Sequence, residues 1–246
     1  TRCLSFFNAT HHFSGYEPRG YAEIEASART CVGVEKLELH HCRVASSLTE
    51  LLLRTPLRGR VRILDLTGAS NVPTFSSDPI LRLMAGLEAL TEVHLPSYEY
   101  PNLYNDVARA RPTLKAIYFS EQSEVDDESI AALCNNLSLE KLYLGYENCS
   151  TLTSAVVDMI LRSPTAQSLS GACIMDLPAI APGDVLRLVR GCPRLTSLDY
   201  SLDPVDSDDE PGSRLTDSGL SEADQSHIAD LFALLESRCR EANIPP

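Results

Sequence analysis

One spacing returns along most of the chain: an apolar residue, two arbitrary residues, Leu, one residue, Leu. It reads Val34-Leu37-Leu39, Val61-Leu64-Leu66, Leu90-Val93-Leu95, Leu114-Ile117-Phe119, Leu139-Leu142-Leu144, a degraded Ala166-Leu169-Gly171, and Leu195-Leu198-Tyr200. Successive copies start 24 to 29 residues apart. A period of this size marks a stack of small supersecondary units. Leu-x-Leu has period two, so both Leu side chains leave one face of a short strand. Between the strands the period changes. Leu48, Leu51 and Leu52 form an i, i+3, i+4 stripe, as do Ile80, Leu83, Met84 and Leu87. Ile130, Leu133 and Cys134 repeat it, followed by Val156, Met159 and Ile160, and by Val185, Leu186 and Val189. One strand and one helix cannot bury their apolar faces alone. Stacked copies bury them in one continuous core.

Three prolines mark the register. Pro112, Pro164 and Pro193 each stand two residues before the first apolar strand position, where Pro ends a helix and favours extended backbone. Cys31 and Cys192 stand three residues before that position, and Cys42 follows Leu39 by three. The eight Cys include no C-x-x-C pair, so a zinc knuckle is not expected. They read as buried free thiols of a reducing compartment.

The segment "LVRGCPRLTSLDYS" (188–201) resembles the cysteine-containing leucine-rich repeat of F-box proteins, and "RLTDSGL" (214–220) is similar to the loop-helix junction of the same repeats. The resemblance covers about residues 21–240. It implies an α/β leucine-rich-repeat solenoid, a right-handed horseshoe arc with parallel strands on the concave face and helices on the convex face. It also implies a protein-protein interaction scaffold, a substrate-recognition module of the kind that serves cullin-RING ubiquitin ligases. The F-box motif itself is not visible in this sequence, and the ligase role would place it upstream of Thr1. The alternative is a structural or assembly subunit of a large multiprotein complex.

The pitch divides the chain into an N-terminal capping segment (1–20), the solenoid (21–202), an acidic loop (203–213) and a C-terminal capping helix (214–246). The first carries Phe6, Phe7, Phe13 and Tyr16, which suit the open end of a stack. The acidic loop lacks the fixed ligand offsets and the matching turn Gly of a calcium site, so it reads as a solvated connection. Ile228, Leu231, Leu234 and Leu235 give the last helix its apolar stripe.

Function is expected on the concave face. Residues between the Leu positions line up across repeats in columns. One holds Glu38, Asp65, His94, Tyr118, Tyr143, Ser170 and Asp199. Lys36, Glu92, Ala116, Lys141 and Ser197 flank it on one side, and His40, Thr67, Pro96 and Ser120 on the other. From these, Glu38, His40, Asp65, Glu92, His94, Tyr118, Tyr143 and Asp199 are the candidate partner-binding residues. Tyr118 and Tyr143 offer large area at small entropy cost. Glu38, Asp65 and Glu92 suit a basic peptide, or a ligase substrate that carries one. Tyr98, Tyr100 and Tyr104, in the loop read at 95–104, form a second candidate edge.

The formal charge of −13 repels phosphate backbones and anionic bilayers, so neither nucleic acid nor membrane is an expected partner. Apolar runs fall far short of the roughly 18 residues of a membrane span. An intracellular location, cytoplasmic, nuclear or in an organelle matrix, follows from these features. No phosphate loop or nucleophile elbow is present, so no enzyme activity and no cofactor are expected. A weak alternative joins His40, Asp65 and His94 as metal ligands of a metal-dependent enzyme.

Overall fold

Each Leu-x-Leu pair does what its period demands: one side of a short strand goes into the core. A computed structural model describes residues 2–7, 20–31, 33–40, 42, 44–67, 69, 78–95, 103–119, 125–144, 151–175, 177, 179–200 and 222–242. Two units, Thr1–Glu124 and Val125–Pro246, divide the chain.

The first unit runs β1 (Arg2–Phe7), α1 (Gly20–Thr30), β2 (Val34–His40), α2 (Ser46–Leu53), a 3-10 turn at Pro56–Gly59, β3 (Ile63–Asp65), α3 (Asp78–Gly86), β4 (Glu92–His94), α4 (Leu103–Ala110) and β5 (Ala116–Tyr118). Its five strands are parallel and lie side by side in chain order. The row Leu4, Leu37, Leu64, Val93, Ile117 crosses the sheet, and from Leu37 onward every member is fully buried. Burying a side chain of this size stabilises by roughly 1.5–3 kcal/mol. Helices α1 to α4 pack each on the next. From α3, Ile80, Leu83 and Met84 enter the core, joined by Leu87 just beyond it. In α2, Thr49 takes a buried place beside Leu48 and Leu52 while Leu51 stays half-exposed. The Thr49 hydroxyl donates to the carbonyl of Pro79 at 3.0 Å, tying α2 to the start of α3.

The second unit runs α5 (Asp127–Asn136), β6 (Lys141–Leu144), α6 (Ala155–Leu161), α7 (Thr165–Ser168), β7 (Gly171–Ile174), α8 (Pro182–Gly191), β8 (Ser197–Tyr200) and α9 (Glu222–Glu241). Strands β6, β7 and β8 are parallel neighbours in that order. Asp126 caps α5 by accepting the Ser129 amide at 2.8 Å. Asp127 accepts the Thr153 amide at 2.9 Å, joining the start of α5 to the loop before α6. Helix α9 packs on α8, with Leu231 buried against it.

Two arginines play one part in the two units. Arg111 Nε donates to the Leu90 carbonyl at 3.1 Å, and its guanidinium also reaches the Glu88 carbonyl. Arg238 Nη1 donates to the carbonyls of Cys192 and Leu195 at 2.7 and 3.3 Å. Both satisfy carbonyls in the turn between a helix and the next strand, where no partner exists within the helix. Close approach also recurs. A Cβ built on Gly86, the last residue of α3, would stand 2.5 Å from Leu53 Cδ2 of α2, and one on Gly191, the last of α8, would clash with Leu161 of α6.

Residues 2–7 form a strand paired with β2, an element that the Leu-x-Leu spacing did not include. The sequence expectation fails in three further places. The sixth copy is out of phase: β7 aligns Leu142 with Ala172 and Leu144 with Ile174, so the unit is Leu169-Ala172-Ile174. Pro164 explains the slip. It opens α7 as its N-cap residue, with φ −55° and ψ −30°, and this extra helical turn delays the strand by three residues. In α6 the buried residues are Val156, Val157 and Ile160, while Met159 is half-exposed. The loop read at 95–104 ends in helix, because Leu103 and Tyr104 belong to α4.

Seven cysteines are described, all as free thiols, of which Cys42, Cys134, Cys173 and Cys192 are buried. Burial raises the Cys134 thiol to about 12 and the Cys192 thiol to about 11, so neither forms a thiolate nucleophile near neutral pH. No helix among the described residues is long and apolar enough to cross a membrane.

Candidate functional site

Parallel pairing in the first unit sets Ser5, Glu38, Asp65, His94 and Tyr118 in one row across five strands. The row lies on the strand face opposite the buried Leu residues, since side chains alternate along each strand. Beside it, Lys36, Ile63, Glu92 and Ala116 form a second row.

These side chains join one polar network. Lys36 Nζ lies 2.7 Å from Glu38 Oε1 on its own strand and 3.1 Å from Asp65 Oδ2 on the next. Glu38 Oε2 accepts from the Ser5 hydroxyl and lies 3.4 Å from His40 Nε2. Asp65 Oδ1 accepts the Thr67 hydroxyl at 2.7 Å and the Thr67 amide at 3.2 Å. His94 Nδ1 lies 3.6 Å from Asp65 Oδ2, and its Nε2 lies 3.0 Å from Glu92 Oε1. The His94 ring stacks on Tyr118, with centroids 4.2 Å apart and planes 29° apart.

The network sorts its members by depth. Asp65 is buried at 6% exposure and orders its neighbours from beneath, reached from the open side only where Lys36 stands. Glu38, His40, Glu92, His94 and Tyr118 are half-buried, with edges open to solvent. The Lys36 ammonium, followed by the Ser5 hydroxyl, holds the Glu38 carboxyl down to about 2. Burial pushes the Asp65 carboxyl up, but bonds from Thr67 and Lys36 outweigh it and leave the group below its ordinary range. Burial works against the Lys36 charge too, yet Glu38 and Asp65 hold its ammonium above the usual value. All three are therefore charged at neutral pH.

The second unit presents a different face. Tyr143 pairs with Cys173, and Cys173 with Asp199. Cys173, not Ser170, is thus the row's middle member, a consequence of the three-residue phase shift in β7. Lys141, Gly171 and Ser197 form the row beside it. Tyr143 is half-buried, Cys173 is buried, and Lys141, Ser197 and Asp199 are exposed. Among the described residues, no ion pair joins this face.

Several expected features lie elsewhere. Tyr104 is buried, with its ring edge-on to Phe119 at 5.6 Å, and lines no open edge. Tyr98, Tyr100, Pro96, Ser120 and the acidic loop at 203–213 fall outside the described residues. His40, Asp65 and His94 do not converge as ligands. Among the described residues no group of three or more His, Cys, Asp or Glu is disposed to hold a metal. The sequence reading did not anticipate Ser5 or the bridging place of Lys36. The alternation Leu4-x-Phe6 was a visible strand signal, lacking only an apolar residue at position 1.

The chain matches no known family model, and no curated protein resembles it in sequence. Solved structures do resemble it in fold. The leucine-rich repeat-containing protein LegL7 from Legionella pneumophila superposes with a TM-score of 0.55 at 20% identity, over 81% of this chain. This chain spans 64% of the LegL7 chain. Leiomodin-1 actin-binding site 2 gives a TM-score of 0.48 at 13% identity, covering 70% of this chain and 94% of that one. The complex of Rad7 and Elc1 in yeast gives 0.36 at 14% identity, covering 74% and 66%.

Proposed function

We propose that the protein, an α/β leucine-rich-repeat build of parallel strands and packed helices, is a non-catalytic recognition scaffold and that its binding surface is the strand face of the first unit. One observation carries this reading: six partner-type side chains, Glu38, His40, Asp65, Glu92, His94 and Tyr118, lie on four adjacent paired strands and, with Lys36 bridging Glu38 and Asp65, are linked by contacts of 2.7 to 4.2 Å. Stability does not call for such a network, since half-exposed ion pairs contribute only about 0–1 kcal/mol each. The core beneath is complete without it. A pre-ordered, polar, aromatic-bearing face lowers the entropy cost of association, which is what a recognition surface requires.

With neutral His side chains, Lys36 offsets one of the three charges on Glu38, Asp65 and Glu92. The face stays acidic and suits a basic protein segment. The finer role, substrate receptor of a cullin-RING ligase, draws support from the cysteine-containing repeat, whose Cys192 is buried at the helix-strand turn.

Affinity capture from cell extract with quantitative mass spectrometry tests the reading. Proteins held by the wild type should be lost with Glu92→Lys and with Tyr118→Ala, at about 2 kcal/mol or more for a hot-spot tyrosine. Tyr143→Ala should retain them. Capture that survives both first-unit changes would move the surface elsewhere. Cullin-RING subunits among the retained proteins would favour the ligase role, and their absence alongside a stable stoichiometric complex would favour an assembly subunit.

A further inference from the structure

We propose that Lys36 is a tethered placeholder in the strand-face site: its ammonium occupies the position between Glu38 and Asp65 that an arginine or lysine side chain of a partner takes on binding. This rests on the strand-face reading above and adds how the site is kept and what it admits.

The two carboxylates belong to directly paired positions on adjacent strands, Glu38 opposite Asp65. Their spacing is therefore set by the sheet and not by flexible side chains alone. They already hold a cation, with Nζ at 2.7 and 3.1 Å. That cation comes from a flexible four-carbon stem on β2, and among the described residues its ammonium is held by side-chain carboxylates. Lys36 is 25% exposed and Asp65 beneath it only 9%, by side chain, so Lys36 lies on the open side of the buried carboxylate. A guanidinium is the better-matched occupant, because its planar fork can serve two carboxylates at once, whereas an ammonium acts as a point charge. Displacement conserves the charge at Asp65, so it avoids the heavy cost of leaving a buried carboxylate unpaired. A neutral or acidic segment cannot make that exchange. Lys36 thus filters partners as well as holding the site. Glu92 and the His94–Tyr118 stack, one and two strands further on, would receive the rest of a basic segment.

The sequence makes the test sharp, because it contains only three lysines, Lys36, Lys115 and Lys141. The full chain is treated with an acetylating reagent, with and without a saturating synthetic Gly-Arg-Gly-Arg-Gly peptide, and the rate at each lysine is read by mass spectrometry. The placeholder account expects Lys36 to react slowest in the free protein and several-fold faster with peptide, while Lys115 and Lys141 keep their rates. An unchanged or slower Lys36 at saturation overturns it. Lys36→Met should bind the peptide about five- to tenfold more tightly than wild type, with Lys141→Met unchanged as the control for lost positive charge. Equal gains from both changes, or none from Lys36→Met, also overturn it. Should Lys36→Met fail to fold, the acetylation rates on wild-type protein decide alone. The two ideas fail differently. Peptide binding that Tyr118→Ala weakens but that leaves Lys36 unreactive removes the placeholder and keeps the surface. No peptide binding by wild type or Lys36→Met removes the placeholder and the basic-segment reading together.

Discussion

The two units share an interior and differ in what they show. In the first, Leu37, Leu64, Val93 and Ile117 form one buried row; in the second, Leu142 and Ala172 sit in the equivalent row, with Leu198 half-buried beside them. Both units use an arginine on the turn carbonyls and a glycine where two helices meet. On the strand face the likeness ends. The first unit carries a bonded network from Ser5 to Tyr118. The second carries a tyrosine, a buried thiol and an exposed aspartate without an ion pair among its described strand residues. Stacking fixes the inward-facing residues by volume and leaves the outward ones unconstrained. Order on the outward face therefore points to a demand other than folding.

The largest effects should be common to both units, and unequal ones would break the comparison. Leu64→Ala and Leu142→Ala each remove a fully buried side chain and should destabilise their units by about 2–5 kcal/mol, read by hydrogen exchange at the strands of each unit. A tenfold difference in surviving protection between units would deny a shared kind of core.

Thr165→Val comes next. Its buried hydroxyl donates to the Leu137 carbonyl at 2.9 Å and accepts the Leu139 amide at 3.3 Å, bridging α7 to the turn after α5. Loss of both should cost about 1–3 kcal/mol in urea unfolding. Thr49→Val loses the single bond to Pro79 and should cost about 0.5–1.5 kcal/mol. The reverse order would show that the phase-shifted sixth unit does not lean on this bridge.

Gly86→Ala and Gly191→Ala probe the shared close approach. Each added methyl must push a leucine of a neighbouring helix, Leu53 of α2 or Leu161 of α6, at about 1–3 kcal/mol for overpacking, partly offset by roughly 1 kcal/mol of helix propensity. Thermal unfolding should show small and similar losses.

The acid response should be smallest and specific to the first unit's face. Glu38 has a folded-state value near 2 against an ordinary 4.5. A depressed value means that the folded state prefers the ionised form. Its contribution is fully present above about pH 4.5 and is lost as pH falls toward 2. Glu38→Gln removes that pH dependence. Exchange protection of β2 and β3 should therefore fall between pH 4.5 and 2 in wild type and change less in Glu38→Gln. An equal fall in both would assign the acid sensitivity to another group.

Much of this was readable beforehand. The Leu-x-Leu spacing placed seven strands, and six have the expected phase, because a buried row tolerates few residue types. The outward row Glu38, Asp65, His94, Tyr118 followed from strand alternation alone. The seventh strand slipped because Pro164 has two uses: it ends one helix and is equally suited to begin another, and only packing decides between them. Ser5 was missed because Thr1 breaks the apolar pattern in front of Leu4. Lys36 was placed in the correct row, but a list of columns does not show that its long side chain bends to the neighbouring strand. Backbone register is encoded locally; the choice of ion-pair partner is made in three dimensions.

Carboxyl labelling with a carbodiimide and a small amine, on the chain alone and in complex with a captured partner, tests the central claim most directly. The account predicts that Glu38 and Glu92 lose reactivity in the complex while Asp199 keeps it. Protection of Asp199 with Glu38 and Glu92 unchanged would contradict the claim.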